Sequence, residues 1–428
     1  MKKNKLSKIL SRMNHNPLAG PQKRKGVALI LAVTSLLFMV YIAKEVSRDS
    51  LTEFVVNSQE VSRLKAYYAA RNGMDIALLR IKLFQQASRF PLPPAFATQL
   101  DQIWKFPFAW PLPSPPEMNS VAKESMDKLA KESLMDATYT HTIEDEGSKI
   151  DVNDLISPSK TLRELTAKQL LTLYSHRVES DEKFREEFQN YRFDDLVNRM
   201  IDWMSDKNTS ASGGSKKGYF SSMGESYPPN RGFRTLEEIR LVPGMTDEFY
   251  NIIAGQITIY GMKSINPNLA SENVLKSLDK GMTDEAVREA MARRNNPELG
   301  GPFKGTTSEE CNKDFRGFVE SRGARVDPTE FDKIPMLCDK VINFRVKSTG
   351  IYGSGAQAVI REITAIVVDI SRSAAQIKSY IDKEKKELEN ANGGGGIPAG
   401  GAGPKSPAPK QDPLPKGQPR VVYWSENS

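Results

Sequence analysis

From Val27 to Ala43 the chain reads VALILAVTSLLFMVYIA, a run without a charge, a Gly or a Pro. Coiled into a helix, such a run is about 25 Å long, slightly less than the ~30 Å hydrocarbon core of a bilayer. Helical character continues past it, because no Pro and only one Gly, Gly73, occur before Pro91 ends the segment. Leu51, Phe54, Ser58, Val61, Lys65 and Tyr68 recur at spacings of three and four, which predicts a mostly apolar stripe on one helix face. A continuous helix of about 60 residues would be about 90 Å long. Its first half is expected in lipid or among like helices, and its second half against a globular head. An ordinary anchor followed by a separate core helix is the alternative.

The remaining pattern changes character three times. Residues 90–117 are rich in Pro and aromatic residues and predict an irregular segment packed on the head. Tyr139–Leu155 alternates polar and apolar positions around Glu146-Gly147 and predicts a hairpin. Near the other end, KVINFRVKSTGIYGSG and AQAVIREITAIVVDI, between Lys340 and Ile370, predict two strands joined by a Gly-rich turn. Helical periodicity fills the stretch between, at Leu162–Leu173, Asp181–Trp203, Thr235–Ile239, Asp247–Ile253 and Ser271–Leu278. Strands flanking helices predict an α+β fold: a long N-terminal helix, half membrane and half amphipathic, on a small antiparallel sheet with a large inserted all-helical domain. The expected boundaries are 1–26, a basic leader; 27–89, the helix; 90–157, the first part of the sheet domain; 158–339, the insertion; 340–372, the closing strands; and 373–428, a charged helix and tail. Residues 391–420 are Gly-, Pro- and Ala-rich and are expected to be disordered. The short apolar run Val421–Trp424 has no explanation in the pattern.

Charge sharpens the picture at the N-terminus. The chain holds 60 Lys and Arg against 53 Asp and Glu, a net of +7. Eight of the basic residues and none of the acidic ones lie in residues 1–26, so the rest is close to neutral. The basic character thus belongs to the leader and not to a phosphate-binding surface. Positive charge before the apolar run keeps the leader cytoplasmic and places the head on the other side. A secretory signal peptide would need an A-x-A-like site after the run, where Tyr41-Ile42-Ala43-Lys44 stands instead. Lys23-Arg24-Lys25-Gly26, directly before Val27, looks like a prepilin leader cut after Gly26.

Reactive chemistry is sparse. Three His are too few for a multi-His metal site, and no H-E-x-x-H, P-loop or G-x-S-x-G motif occurs, so no catalysis is expected. Cys311 and Cys338 favour one disulfide if the head is in an oxidising compartment, with two buried thiols as the alternative.

Five segments together resemble the type II secretion minor pseudopilins of the general secretion pathway protein K family. They are Arg24–Leu29, Asp145–Ile150, Ile201-Asp202-Trp203 with Asp206, Leu236–Met245, and Ile265–Ser271, in family order over about 27–370. The resemblance implies a pilin-like sheet, removal of the leader by an inner-membrane prepilin peptidase, and N-methylation of Val27. It implies a single-pass inner-membrane protein with a periplasmic head. It also implies assembly with I- and J-type minor pseudopilins, the major pseudopilin and an inner-membrane assembly platform, to initiate and cap a periplasmic pseudopilus. Most pilin-like proteins carry Glu at the fifth position after the cut, where it pairs with a neighbour's N-terminal amine. Leu31 stands there in this chain. A neutral residue suits a subunit with no neighbour above it, since an unpaired carboxylate in lipid costs several kcal/mol. A generic anchor would also tolerate Leu31.

The resemblance further implies calcium in the head, with Asp202, Asp206, Asn208 and Glu225 as candidate ligands and Asp332 and Asp339 as a second cluster. Oxygen ligands on a flexible loop suit Ca²⁺, although no EF-hand run occurs. Two other functions compete: a minor pilin of a related type IV pilus machine, and a membrane-anchored helix-hairpin-helix nucleic-acid binder. Leu241–Met245 resembles the hairpin of the latter. Its neighbours Glu237, Glu238, Asp247 and Glu248 are acidic, with Arg240 the nearby cation, which favours a purely structural turn and no nucleic acid.

Overall fold

The computed structural model describes residues 25–87, 103–113, 120–224, 227–338, 341–392 and 420–427. The chain divides into two compact units, Met1–Lys65 with Tyr352–Val359, and Ala66–Ile351 with Ile360–Ser428. In the first unit, the described residues form most of helix α1 (Lys25–Ala87) and a loop. Its apolar residues from Val27 to Val61 are exposed, and Lys65 Nζ lies 3.3 Å from the Tyr352 hydroxyl and 4.6 Å from its ring centroid.

In the second unit the last part of α1 supplies one wall of a sheet core. Ala66, Ala70, Met74, Ala77, Ile81 and Phe84 follow one another at helical spacing, and all are buried. The stripe expected from Leu51 to Tyr68 lies elsewhere: Leu51, Phe54, Val61 and Tyr68 are all exposed. Small residues explain the difference, because the sheet approaches closest where α1 carries Ala and Gly. A Cβ on Gly350 would strike the backbone of Ala66 and Ala70, and one on Gly73 would strike Ser348 and Tyr139. The Ser348 hydroxyl donates to Ala70 O at 2.7 Å in that contact.

The sheet has the order β1-β2-β5-β6-β7, from strands β1 (Phe108–Trp110), β2 (Ala137–Asp145), β5 (Phe344–Tyr352), β6 (Val359–Val368) and β7 (Arg420–Asn427). The pairs β1–β2 and β6–β7 are antiparallel. Strand β2 alternates buried and exposed residues, with Ala137, Tyr139, His141 and Ile143 inward. Phe84, Trp104 and Phe344 meet edge to face at 5.5–6.1 Å in the core. A separate helix, α2 (Ser120–Glu132), precedes β2.

Residues 150–338 build a second hydrophobic core. Its α-helices of five or more residues are α3 (Lys160–Ser180), α4 (Glu182–Phe188), α5 (Phe193–Met204), α6 (Asp247–Ile253), α7 (Glu272–Lys276), α8 (Asp284–Asn295) and α9 (Ser308–Ser321). Ser159, Asp181, Thr246, Ser271, Thr283 and Thr307 each accept a backbone N–H as N-caps, so side chains define where most of these helices begin. Cys311 on α9 and Cys338 form a disulfide with Cα atoms 5.5 Å apart. Helix α10 (Ile370–Asn392) follows β6 and returns to this half. Its Glu384 accepts from Ser159 Oγ at 2.6 Å and from Thr161 N at 2.9 Å, at the start of α3.

Four expectations change. The hairpin expected at Tyr139–Leu155 is absent, because after the turn at Glu146–Lys149 the chain forms β3 (Ile150–Asp151), which pairs in parallel with β4 (Ile257–Thr258) in another sheet. The insertion is therefore helical but not wholly so. The Pro-rich segment contributes the edge strand β1, while the helical pattern expected at Asp181–Trp203 is present as α4 and α5. The tail returns to the sheet as β7, which gives Val421–Trp424 its role; the tail residues 393–419 lie outside the described residues.

Candidate functional site

The expected processing junction opens α1. Gly26, Val27 and Leu31 all lie on the helix and are exposed, and a Cβ added at Gly26 would meet nothing within 4 Å. The helix is long and apolar enough to cross a membrane. The leader residues 1–24 lie outside the described residues.

The segment Asp145–Ile150 connects the two cores. Glu146 is fully buried and accepts two bonds from Arg345 at 2.8 Å each, one from Lys149 Nζ at 2.8 Å and one from Thr258 Oγ1 at 2.7 Å. One carboxylate thus joins β2, β5 and β4. Burial raises its pKa, but Arg345 and Lys149 outweigh burial and hold it below the usual carboxylate range. Neighbouring Asp145, its burial only partly offset by the N–H groups of Ser148 and Gly147, is pushed up to about 6. Just beyond, Lys263 Nζ bonds Asp151 and lies 2.8 Å from Asp154 Oδ1. Burial beside Asp151 pushes Asp154 up to about 7 against the pull of Lys263. Burial would lower Lys263, yet the two carboxylates raise it.

The loop expected to bind calcium is arranged differently from the expectation. Asp202, nearly fully buried at the end of α5, accepts from Ser210 Oγ at 2.5 Å and from Ala211 N at 2.7 Å. Asp206 and Asn208 are exposed, and Glu225 lies outside the described residues. Lys216, only 3% exposed, reaches into the loop instead. Its Nζ donates to Ser205 O, to Lys207 O at 3.3 Å and to Asn230 Oδ1 at 2.6 Å. Burial lowers its pKa, with Asp202 and Asp206 opposing. In the second expected cluster Asp332 pairs with Arg316 at 3.3 Å, and Asp339 lies outside the described residues. Among the described residues no group of three or more His, Cys, Asp or Glu is placed to hold a metal ion.

The Leu241–Met245 hairpin is packed against its own domain. Gly244 adopts φ +84°, and Arg199 and Tyr191 donate to the carbonyls of Pro243 and Gly244 at 3.2 and 3.4 Å. Arg240 is paired with Asp247 and covers the Tyr250 ring at 4.0 Å. The residue types at Glu146 and Lys263 were visible in the sequence, but their partners, about 110 to 200 positions away, were not. The sequence reading missed Lys216 and Asn230, for which the only signal was a Lys beside a Gly/Ser-rich loop.

Residues 148–262 match the family model for the type II secretion system (T2SS), protein K, so the resemblance read from the sequence holds across that segment. No curated protein matches the chain. Among solved structures the chain is similar to one chain of the GspK-GspI-GspJ complex from the enterotoxigenic Escherichia coli Type 2 Secretion System. The identity is 16% over 74% of this chain and 95% of that chain, with a TM-score of 0.48.

Proposed function

We propose that the protein, which carries a type II secretion protein K segment, is a minor pseudopilin anchored in the inner membrane with its head in the periplasm. The observation that carries this is α1. Its exposed apolar start is long enough for a bilayer, and without a break it becomes the wall of the sheet core from Ala66 to Phe84. Leader removal after Gly26 by a prepilin peptidase, with methylation of Val27, leaves that apolar start free to pack beside other such helices. Leu31 brings no buried carboxylate that needs a neighbour's amine. This favours a place at the filament tip, where the chain initiates and caps assembly with I- and J-type minor pseudopilins, above the major pseudopilin and the assembly platform. The role is assembly, not catalysis.

The deciding measurement is the intact mass and N-terminal sequence of the protein extracted from its native membrane. A start at Val27 with one added methyl group is the expected result. A full-length chain, or one cut after Ala43, would remove the pseudopilin reading. For the tip, the mature head is expected to co-purify with I- and J-type heads in one ternary complex, and its failure to join them would remove the capping role.

A further inference from the structure

The loop from Ser205 to Lys216 closes on a cation that is already part of the chain. Three oxygens converge on Lys216 Nζ: two are backbone carbonyls, of Ser205 and Lys207, and the third is the Asn230 side-chain amide oxygen. An ammonium has three donors and no acceptor, so this set satisfies it completely. The surrounding backbone is built to present those oxygens. Asn230 stands at φ +53°, a left-handed conformation costly for most residues, and its N–H is fixed on Trp203 O at 3.1 Å. The chain turns back at Gly213 and Gly214, and Lys216 N bonds Asn208 O at 3.3 Å, closing the loop on itself. The buried carboxylate of Asp202 is turned to Ser210 and Ala211, and Asp206, inside the loop, is exposed.

Calcium needs six to eight oxygens at about 2.3–2.6 Å. Among the described residues three oxygens converge here and all are taken by the ammonium, while Asp206 and Asn208 of the same loop are exposed. A divalent ion would have to enter beside a buried positive charge or expel it. The residues therefore do not fit the metal. We infer that in this chain the side chain of Lys216 occupies the place of a calcium ion in the loop Ser205–Lys216, so that the loop is held closed without metal. The contacts of Lys216 hold whether or not the chain is a pseudopilin.

Limited trypsinolysis of the full chain in detergent tests this, scored at Lys207, with 1 mM EGTA or 1 mM CaCl2 (about the weak end of protein calcium affinities). The wild-type chain is expected to be cut at rates within about twofold of each other in the two conditions. Lys216→Met keeps the length and removes the charge and the donors, and it is expected to be cut in EGTA at least about tenfold faster. Protection of the wild-type loop by calcium of about fivefold or more would overturn the inference, as would a Lys216→Met chain cut at the wild-type rate in EGTA. The wild-type comparison decides even if the variant fails to fold.

Discussion

The sheet core and the helical core, which belong to one compact unit, each bury a titratable group, and the two groups, His141 and Asp154, respond to protons in opposite directions. In the sheet, buried His141 takes a bond at its Nε2 from Arg80 at 2.8 Å and so must be neutral. Burial, with the nearby Arg80 charge, lowers its pKa to about 4. In the helical half, burial and Asp151 raise Asp154 to about 7. A depressed His contributes stability above its unfolded pKa near 6.5, and that stability is lost as pH falls toward about 4. A raised Asp contributes stability that is full below about 4 and is lost as pH rises through about 7. Acid therefore works against the sheet core at His141, while at Asp154 it favours the folded helical half. The lesson is that the same force, desolvation, gives opposite pH responses at two sites through the kind of group it buries.

The sharpest way to break this comparison is to cut the link between the halves. Arg345→Met leaves the Glu146 carboxylate buried with Lys149 as its remaining cation and the Thr258 hydroxyl as its remaining neutral donor, and is expected to cost about 3–5 kcal/mol. Thermal unfolding is expected to split from one transition into two; a single transition at the wild-type temperature would show that Glu146 does not join the cores. Next, Cys311→Ser with Cys338→Ser is expected to cost roughly 3 kcal/mol. The loss should fall on amide-exchange protection in α9 and leave β2 and β5 unchanged.

Of intermediate size are the pH effects themselves, each at most about 1.4 kcal/mol per pH unit for one proton. His141→Gln should flatten the loss of stability between about pH 6.5 and pH 4. Asp154→Asn should flatten the loss between about pH 4 and pH 7, seen in urea midpoints at each pH. Equal slopes before and after either substitution would refute the assignment. Smallest is Thr307→Ala, which removes one arm of the α9 capping box and is expected to cost about 1 kcal/mol in the helical half alone, measured by urea denaturation.

What the sequence made legible was local. The bounds of α1, the strands β5 and β6, α6 and the charged helix α10 follow from periodicity, Gly, Pro and caps. What it hid was pairing. The alternation from Tyr139 onward is real in β2, but nothing local says that residues 150–151 leave for Ile257-Thr258 instead of folding back. Val421–Trp424 is strand-like only because β6 stands open beside it, and Arg71 meets the Trp424 ring at 4.7 Å. The calcium expectation came from the family resemblance, with acidic residues near a Gly/Ser-rich loop as its candidate ligands; burial turned Asp202 to its own loop while it brought Lys216 in.

The insertion also fixes an order of events during synthesis. Strands β2 and β5 are neighbours in one sheet, yet the whole core of residues 150–338 lies between them in sequence. Closing so long a loop in an unstructured chain is entropically slow, whereas the helices of that core need mostly nearby partners. The helical half can thus collapse while the sheet still waits for β5 and β6 to emerge, and its folding shortens the gap that β2 must bridge. Strand β7 comes later still, so one edge of the sheet stays open until residues 420–427 arrive.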